Sequence, residues 1–198
     1  MINLPTFRIQ LPPFTLASGS PQRKWILEQL RLNFKIDPPN IDESLGNIDL
    51  IRPHAIVKHL ALAKAEVITK KHPNSPVLSC DTLVISSKGE ILGKPKNLSE
   101  AKRMLSSYNG SYADIYSGLA WIYKNRSKKP FAAYNKTRLY FKLISSKAID
   151  DYLKDGEWEY CSGGMKIEKI EGWIKKRVGE YWNVVGLPVN LLKEIQSI

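Results

Sequence analysis

Cysteine is scarce in this sequence: its 198 residues include two, Cys80 and Cys161. A secreted chain stapled by disulfides shows more of them, at framework-like spacing. Cys80 lies in an apolar run and Cys161 beside glycines, so both are read as reduced thiols. Long apolar runs are missing too. No window approaches the roughly 18 apolar residues of a membrane-spanning helix, so none is expected. The opening MINLPTFRIQLPPF is broken by Pro5, Pro12 and Pro13. It lacks the charged start and continuous apolar stretch of a signal peptide, and the expectation is a cytoplasmic protein with no membrane partner. Also lacking are a Walker-type phosphate loop, a Rossmann glycine fingerprint and the Cys/His spacing of a zinc site. Histidine is limited to His54, His59 and His72, on or near one predicted helix, which points to solvent exposure and not to a catalytic cluster.

Acidic residues are outnumbered, 19 against 30 basic ones, for a formal net charge of +11. That balance favours anionic partners: phosphorylated metabolites, nucleic acid or an anionic membrane. The basic residues cluster in Lys124-Asn125-Arg126-Ser127-Lys128-Lys129 and in Lys175-Lys176-Arg177. Solvated loops and edges explain both runs more simply than a dedicated nucleic-acid surface, so nucleic acid is the less favoured partner. A composition of 43% hydrophobic and 25% charged residues excludes large-scale disorder. The length suits one domain, or one core with two lobes.

Local patterns predict a short strand over Phe14–Ser18, then a helix with Ser20 as N-cap, Pro21 at its first position and an apolar stripe of Ile26, Leu27 and Leu30. Residues 34–50 read as turns. A long helix is predicted over Pro53–Lys71, with Ile56, Leu60 and Val67 on one face and Pro73 and Pro76 closing it. A nearly continuous apolar strand covers Val77–Ile85, and Ser86-Ser87-Lys88-Gly89 turns it into Ile91-Leu92. Ser99–Tyr108 reads as a helix capped by Ser99 and stopped at Gly110. Strands are expected over Asp114–Tyr123 and Phe131–Ile144, the second supported by alternating Leu139, Phe141 and Leu143. A short helix runs from Ser146 to Leu153, a hairpin spans Ile167–Val178 about Glu171-Gly172, and a last helix follows Gly186-Leu187-Pro188. Strands and helices alternate without strict βαβ spacing, which predicts a mixed sheet flanked by helices.

Four segments carry candidate chemistry. In Ser18-Gly19-Ser20-Pro21-Gln22-Arg23, a small-residue loop opens a helix; its N–H groups, two hydroxyls and a fixed cation can hold a phosphate. A capped helix with an exposed arginine explains the same residues equally well. Asp81, followed by Thr82, interrupts a strand that otherwise reads as buried. A carboxylate there is costly unless paired or metal-bound. A buried ion pair is the plainer alternative, but ligands sit at strand ends in α/β sheets, which favours function. In Leu92-Gly93-Lys94-Pro95, glycine and proline hold a tight path and aim Lys94; an ordinary turn lysine would look the same. In Cys161-Ser162-Gly163-Gly164-Met165-Lys166-Ile167-Glu168, paired glycines allow close backbone approach, and Lys166 and Glu168 share a face if the segment is strand-like. Lys64 borders the apolar face of the long helix and either snorkels outward or points into a cleft. Glu43 is a second carboxylate suited to a metal, or a solvated loop acid.

Together these segments resemble the Maf family of nucleotide pyrophosphatases. Ser18-Gly19-Ser20-Pro21-Gln22-Arg23 is similar to its opening S-x-S-P-x-R loop, and Asp81-Thr82 to its D-T motif. Leu92-Gly93-Lys94-Pro95 matches its L-G-K-P and Gly186-Leu187-Pro188 its terminal G-L-P. The resemblance runs in order from about residue 14 to 195 and implies a single domain over 1–198, with 1–13 an N-terminal extension. It implies an elongated α/β fold, like that of inosine triphosphate pyrophosphatases, with two lobes about a central cleft, often as a homodimer. It implies hydrolysis of a nucleoside triphosphate to the monophosphate and pyrophosphate with Mg²⁺ or Mn²⁺. Asp81 would bind metal or activate water with Glu43 as acidic partner. Arg23, Lys64 and Lys94 would hold the triphosphate, with Ser18, Ser20 and Lys166 nearby. The family's specificity positions correspond to Gln22, Thr82 and Glu168. Thr82 fits the branch acting on dTTP and UTP, Glu168 the branch acting on 7-methyl-GTP, and Gln22 neither. The Cys161-x-Gly163-x-x-Lys166-x-Glu168 stretch resembles the second branch, which is slightly favoured. The rival classes are a basic nucleic-acid-binding protein and a nucleotide sensor without catalysis. Glu43, Lys64, Asp81 and Lys94 together argue against the sensor.

Overall fold

The structure is a computed structural model that describes residues 8–41, 52–123 and 129–197. Glu43 and the basic residues Lys124, Arg126 and Lys128 lie outside the described residues. Among the described residues the order is β1 (Phe14–Leu16), α1 (Pro21–Gln29), β2 (Phe34–Ile36), α2 (Pro53–Lys71), β3 (Val77–Ser86), β4 (Ile91–Leu92), α3 (Leu98–Ser107), β5 (Tyr112–Ile122), β6 (Phe131–Phe141), α4 (Ser146–Leu153), α5 (Ile167–Ile170), β7 (Ile174–Val178), α6 (Tyr181–Val185) and α7 (Val189–Gln196). The strands form one sheet in the order β2-β1-β3-β5-β6-β7, with β4 on β3. β1 runs parallel to β2 and β3, whereas β4 is antiparallel to β3 and β7 to β6. This is the mixed sheet flanked by helices that the sequence predicts.

The chain divides into two compact units. The first holds the described residues up to Asp81, those of Ser117–Asn135 and those from Gly186 on; the second holds Thr82–Tyr116 and Lys136–Val185. In the first unit, α2 lies on a core of small side chains: Ala17, Ala61, Ala65 and Ala120 with Ile68 and Val77. Small residues let the helix approach closely. At Gly118 of β5 a Cβ would stand 2.2 Å from the Val57 carbonyl oxygen, so only glycine fits beneath α2. The second unit packs α3 and α4 against β4, β5 and β6 around Leu92, Leu105, Tyr108, Leu139, Phe141 and Ile149.

Several helix ends follow their local signals. Ser20 caps α1 by accepting the Arg23 N–H, and Pro21 occupies the first position. Others depart from expectation. The cap of α3 is Asn97, not Ser99: its Oδ1 accepts the Glu100 N–H at 2.9 Å, and the Glu100 carboxylate reaches back to the Lys96 N–H at 2.7 Å. That reciprocal arrangement outcompetes a serine two residues later. The buried face of α2 runs through Ile56, Leu60, Ala61, Lys64, Ala65 and Ile68, while Val67 is half-buried at its margin. The region read as turns contains β2, aligned with β1 by Phe34 stacking on Phe14 at 5.7 Å. β6 ends at Phe141, so Leu143 is 86% exposed, and the alternation that placed it in a strand stops two residues earlier. The predicted hairpin over 167–178 is instead helix, turn and strand: Ile167 and Ile170, three apart, are both buried, as helical spacing requires, and β7 pairs with β6. The helix α6 was not anticipated. β7 ends the sheet and is largely exposed, which places Lys175, Lys176 and Arg177 on an edge strand. No helix among the described residues is long and apolar enough to cross a membrane. The histidines are less uniform than expected: His59 is exposed, His54 stacks on Tyr134 at 5.0 Å, and His72 Nε2 lies 2.8 Å from Asp37 Oδ2.

Candidate active site

In the first unit, β1 hands the chain to the Ser18–Arg23 loop beside β3, where the Ala17 N–H donates to Leu78 O at 2.8 Å. Ser18 is buried and its Oγ is a hub. It accepts from Arg23 Nη1 at 2.9 Å and from the Ser20 N–H at 3.3 Å. Arg23 Nε donates to Gly186 O at 2.9 Å. Two acceptors on a rigid planar fork fix the guanidinium rather than leaving it to wander in solvent. Ser20 Oγ donates to Gln22 Oε1 at 3.0 Å, which orients the Gln22 amide. The loop therefore does more than cap a helix.

Lys64 and Asp81 meet in the same unit. The ammonium donates to Asp81 Oδ1 at 2.5 Å, with both side chains 9% exposed. Lys64 thus points inward from α2 and does not snorkel. The Ser79 hydroxyl donates to the Ala61 carbonyl and ties β3 to α2 one turn from Lys64. The plainer reading of Asp81, a buried ion pair, is thereby realised. Such a pair at best breaks even against well-packed apolar residues, so packing alone does not call for it. The charges of Arg23, Asp81 and Lys64 all reach Cys80. Burial pushes its thiol up to about 12, opposed by Arg23 and Lys64. Ser18, Arg23, Lys64 and Asp81 are thereby gathered about the middle of β3, where Asp81 is the fifth of ten residues, and not at a strand end as the sequence reading expected.

In the second unit, Thr82 follows Asp81 along β3 and is half-buried. Lys94 is exposed on a loop whose Gly93 carbonyl accepts the Gly163 N–H at 2.8 Å. Lys166 precedes α5. Its N–H donates to Tyr152 Oη at 2.9 Å and its ammonium pairs with Glu157. Glu168 is exposed on α5. Because that segment is helical, Lys166 and Glu168 do not alternate onto one strand face as expected. Both nevertheless lie, with Lys94, close enough to Cys161 for their charges to act on it. Burial, then Glu168, push this thiol up to about 11, while Lys166 and Lys94 draw it down. Cys80 and Cys161 are free thiols, as read from the sequence. Among the described residues no group of three or more His, Cys, Asp or Glu is placed to hold a metal, and Glu43 lies outside them.

Sequence reasoning missed the partners of these residues: Gly186, whose carbonyl anchors Arg23, Ser79, and the phenols of Tyr108 and Tyr152. Gly186 carried a signal in the G-L-P motif. The others carried none, because their partners lie on other elements.

The family model for Maf-like proteins matches residues 13–197. The chain is similar to the nucleoside triphosphate pyrophosphatase of Nostoc punctiforme, 35% identical over 188 residues that cover 94% of this chain and 93% of that protein. It is similar to the dTTP/UTP pyrophosphatase of Halalkalibacterium halodurans, 34% identical over 91% of this chain and 92% of that protein. With the dTTP/UTP pyrophosphatase of Bacillus mycoides it shares 36% identity over 92% and 93%. Among solved structures, that of the Staphylococcus aureus Ham1 protein aligns with a TM-score of 0.46 at 12% identity, covering 94% of this chain and 98% of that one.

Proposed function

The chain belongs to the family of Maf-like proteins, and on that premise we propose that it hydrolyses a nucleoside triphosphate to the monophosphate and pyrophosphate. The observation that carries the reading is the buried Lys64–Asp81 pair beside the Ser18–Arg23 loop, a carboxylate held by an ammonium next to a fixed guanidinium and hydroxyls. The names of the relatives support it.

In this reading Asp81 orients the attacking water and accepts its proton, while Lys64 keeps the carboxylate in place. Arg23 neutralises charge on the triphosphate, and a cation held in advance, as Ser18 and Gly186 hold this one, does so without reorganising during the reaction; the family resemblance gives Lys94 a phosphate-binding role as well. Mg²⁺ binds through one or two carboxylates together with substrate phosphates, so Asp81, with Glu43 as its partner, suits a Mg²⁺ or Mn²⁺ ion that arrives with the triphosphate. When bound, the ion would add further neutralisation of the phosphate oxygens.

For the base, Glu168 supports a guanine nucleotide, since a carboxylate accepts from the N1–H and N2–H₂ edge, and its match to the second branch of the family supports 7-methyl-GTP among them. Thr82 and the names of the relatives support a second reading, dTTP or UTP. Pyrophosphate release from 7-methyl-GTP, dTTP, UTP and the ordinary triphosphates, with Mg²⁺ and then Mn²⁺, tests both. Turnover that falls on the order of 100-fold or more in Asp81→Asn is the expected result, and the ranking of substrates chooses between Glu168 and Thr82. A folded protein that turns over none of them overturns the proposal. Salt-sensitive DNA or RNA binding that survives Asp81→Asn would then favour the nucleic-acid reading.

A further inference from the structure

The loop carrying Lys94 is held by a neighbouring turn, and that turn is held from within the core of the second unit. Gly163 and Gly164 both take left-handed backbone, with φ of +69° and +67°. Gly163 thereby breaks the short 3₁₀ turn Ser162–Gly164 with non-helical backbone, and a buried carbonyl needs a donor. Each receives a phenol. Tyr108 Oη, at the end of α3, donates to Gly163 O at 2.9 Å. Tyr152 Oη, on α4, donates to Gly164 O at 2.8 Å and accepts the Lys166 N–H at 2.9 Å. On the far side of the turn, the Gly163 N–H donates to Gly93 O at 2.8 Å. A continuous path of hydrogen bonds thus leads from Tyr108 through Gly163 to the residue before Lys94.

The fit is close. A Cβ on Gly163 would stand 2.4 Å from Tyr108 Oη, so the phenol fills the space that any side chain there would need. Tyr108 is fully buried and stacks on Phe141 at 5.0 Å. Burial raises both phenols well above the ordinary tyrosine range, so they remain protonated donors. Apolar packing alone would be served by phenylalanine at either position.

We propose that Tyr108 and Tyr152 are positioning residues, a phenol clamp on the Gly163–Gly164 turn that sets where Lys94 presents its ammonium to substrate phosphates. The inference rests on the phosphate-binding role given to Lys94 above. Side chains that act through one another show non-additive effects, whereas a general loss of stability adds independently.

The test is a double-mutant cycle of Tyr108→Phe with Lys94→Ala, read by calorimetric binding of inorganic tripolyphosphate and by KM and kcat on the best nucleotide. Tyr108→Phe is expected to weaken tripolyphosphate binding and raise KM by on the order of 10-fold, and to add less than about twofold in the Lys94→Ala background. Tyr152→Phe, in the same cycle, is expected to couple to Lys94 in the same way and serves if Tyr108→Phe does not fold. If Lys94→Ala itself leaves tripolyphosphate binding unchanged, the phosphate role of Lys94 fails and takes this inference with it. If Lys94→Ala weakens binding while the tyrosine variants do nothing, or cost the same in both backgrounds, the clamp alone is overturned.

Discussion

Lys64 and Asp81 are each expensive to bury and are tolerable only together. Removing one partner leaves a buried charge without the other, which typically costs about 3–5 kcal/mol, whereas replacing both with apolar residues of similar volume is often neutral or stabilising. Lys64→Met is therefore expected to lower the unfolding free energy by about that amount in urea titration. The double replacement Lys64→Met with Asp81→Leu is expected to recover most of the loss while remaining inactive. A double variant as unstable as the single one would show that the pair contributes to stability in its own right. The environment of Arg23 follows the same logic in milder form: Ser18 and Gly186 satisfy the guanidinium where it is needed and keep it from folding back on solvent.

At the scale of elements, the contact between α2 and β5 depends on the absence of one side chain. Gly118→Ala would drive a methyl group to 2.2 Å from Val57 O and 2.8 Å from Lys58 N, both backbone atoms that cannot rotate away. The helix must lift, and overpacking of this kind typically costs about 1–3 kcal/mol. A lowered Tm in a differential scan is the expected result. Because α2 carries Lys64, activity is expected to fall further than stability alone explains. An unchanged Tm would mean the helix has room to retreat. The edge strand β7 accounts for one basic run: lysine and arginine on an exposed edge discourage pairing with a second sheet, which makes Lys175, Lys176 and Arg177 intelligible without nucleic acid.

For the whole molecule, the response to acid has a defined sign. Hydrogen bonding to His72 holds Asp37 below the usual carboxylate range. Burial raises Asp114, but hydrogen bonds from Arg138 and Lys136 outweigh it and hold the group low. Lys147 and Lys154 bring Asp151 to about 2, and lysines likewise lower Asp155 and Glu157. A carboxylate whose folded pKa is depressed contributes stability that is complete above its unfolded pKa and is lost as pH falls through its folded one. As far as these groups decide it, Tm is expected to be flat from about pH 7 to 5 and to fall steadily below about pH 4, the unfolded carboxylate range. The formal charge of +11 reinforces the fall, because protonating carboxylates leaves the cations to repel one another. A Tm that rises on acidification to pH 3 would contradict the assignment of these pairs.

What the sequence determined alone is whatever short-range chemistry encodes. Ser20-Pro21 starts α1 because a hydroxyl cap and a fixed φ act within one turn, and Pro53 starts α2 for the second reason. The apolar run over Val77–Ile85 reads as a strand, and Asp81 within it reads as a cost to be met. The order of the motifs was enough to indicate the family. The tertiary structure alone decided how that cost is met. Lys64 lies 17 residues away on another element, and from its spacing it was as well placed to snorkel as to turn inward. β2, α5 and α6, of three to five residues, are too short to show a period and form because neighbours complete them. The phenols that satisfy Gly163 and Gly164 come from 55 and 12 residues away. Two lobes were expected, but where they divide was hidden from the sequence, because the chain passes between the units inside β3, β5 and β6 and again after Val185, with no linker to mark the boundary. Propensity and capping act over a turn or two of chain, whereas pairing of buried charges and carbonyls depends on which elements pack together, and that is settled only when the core closes.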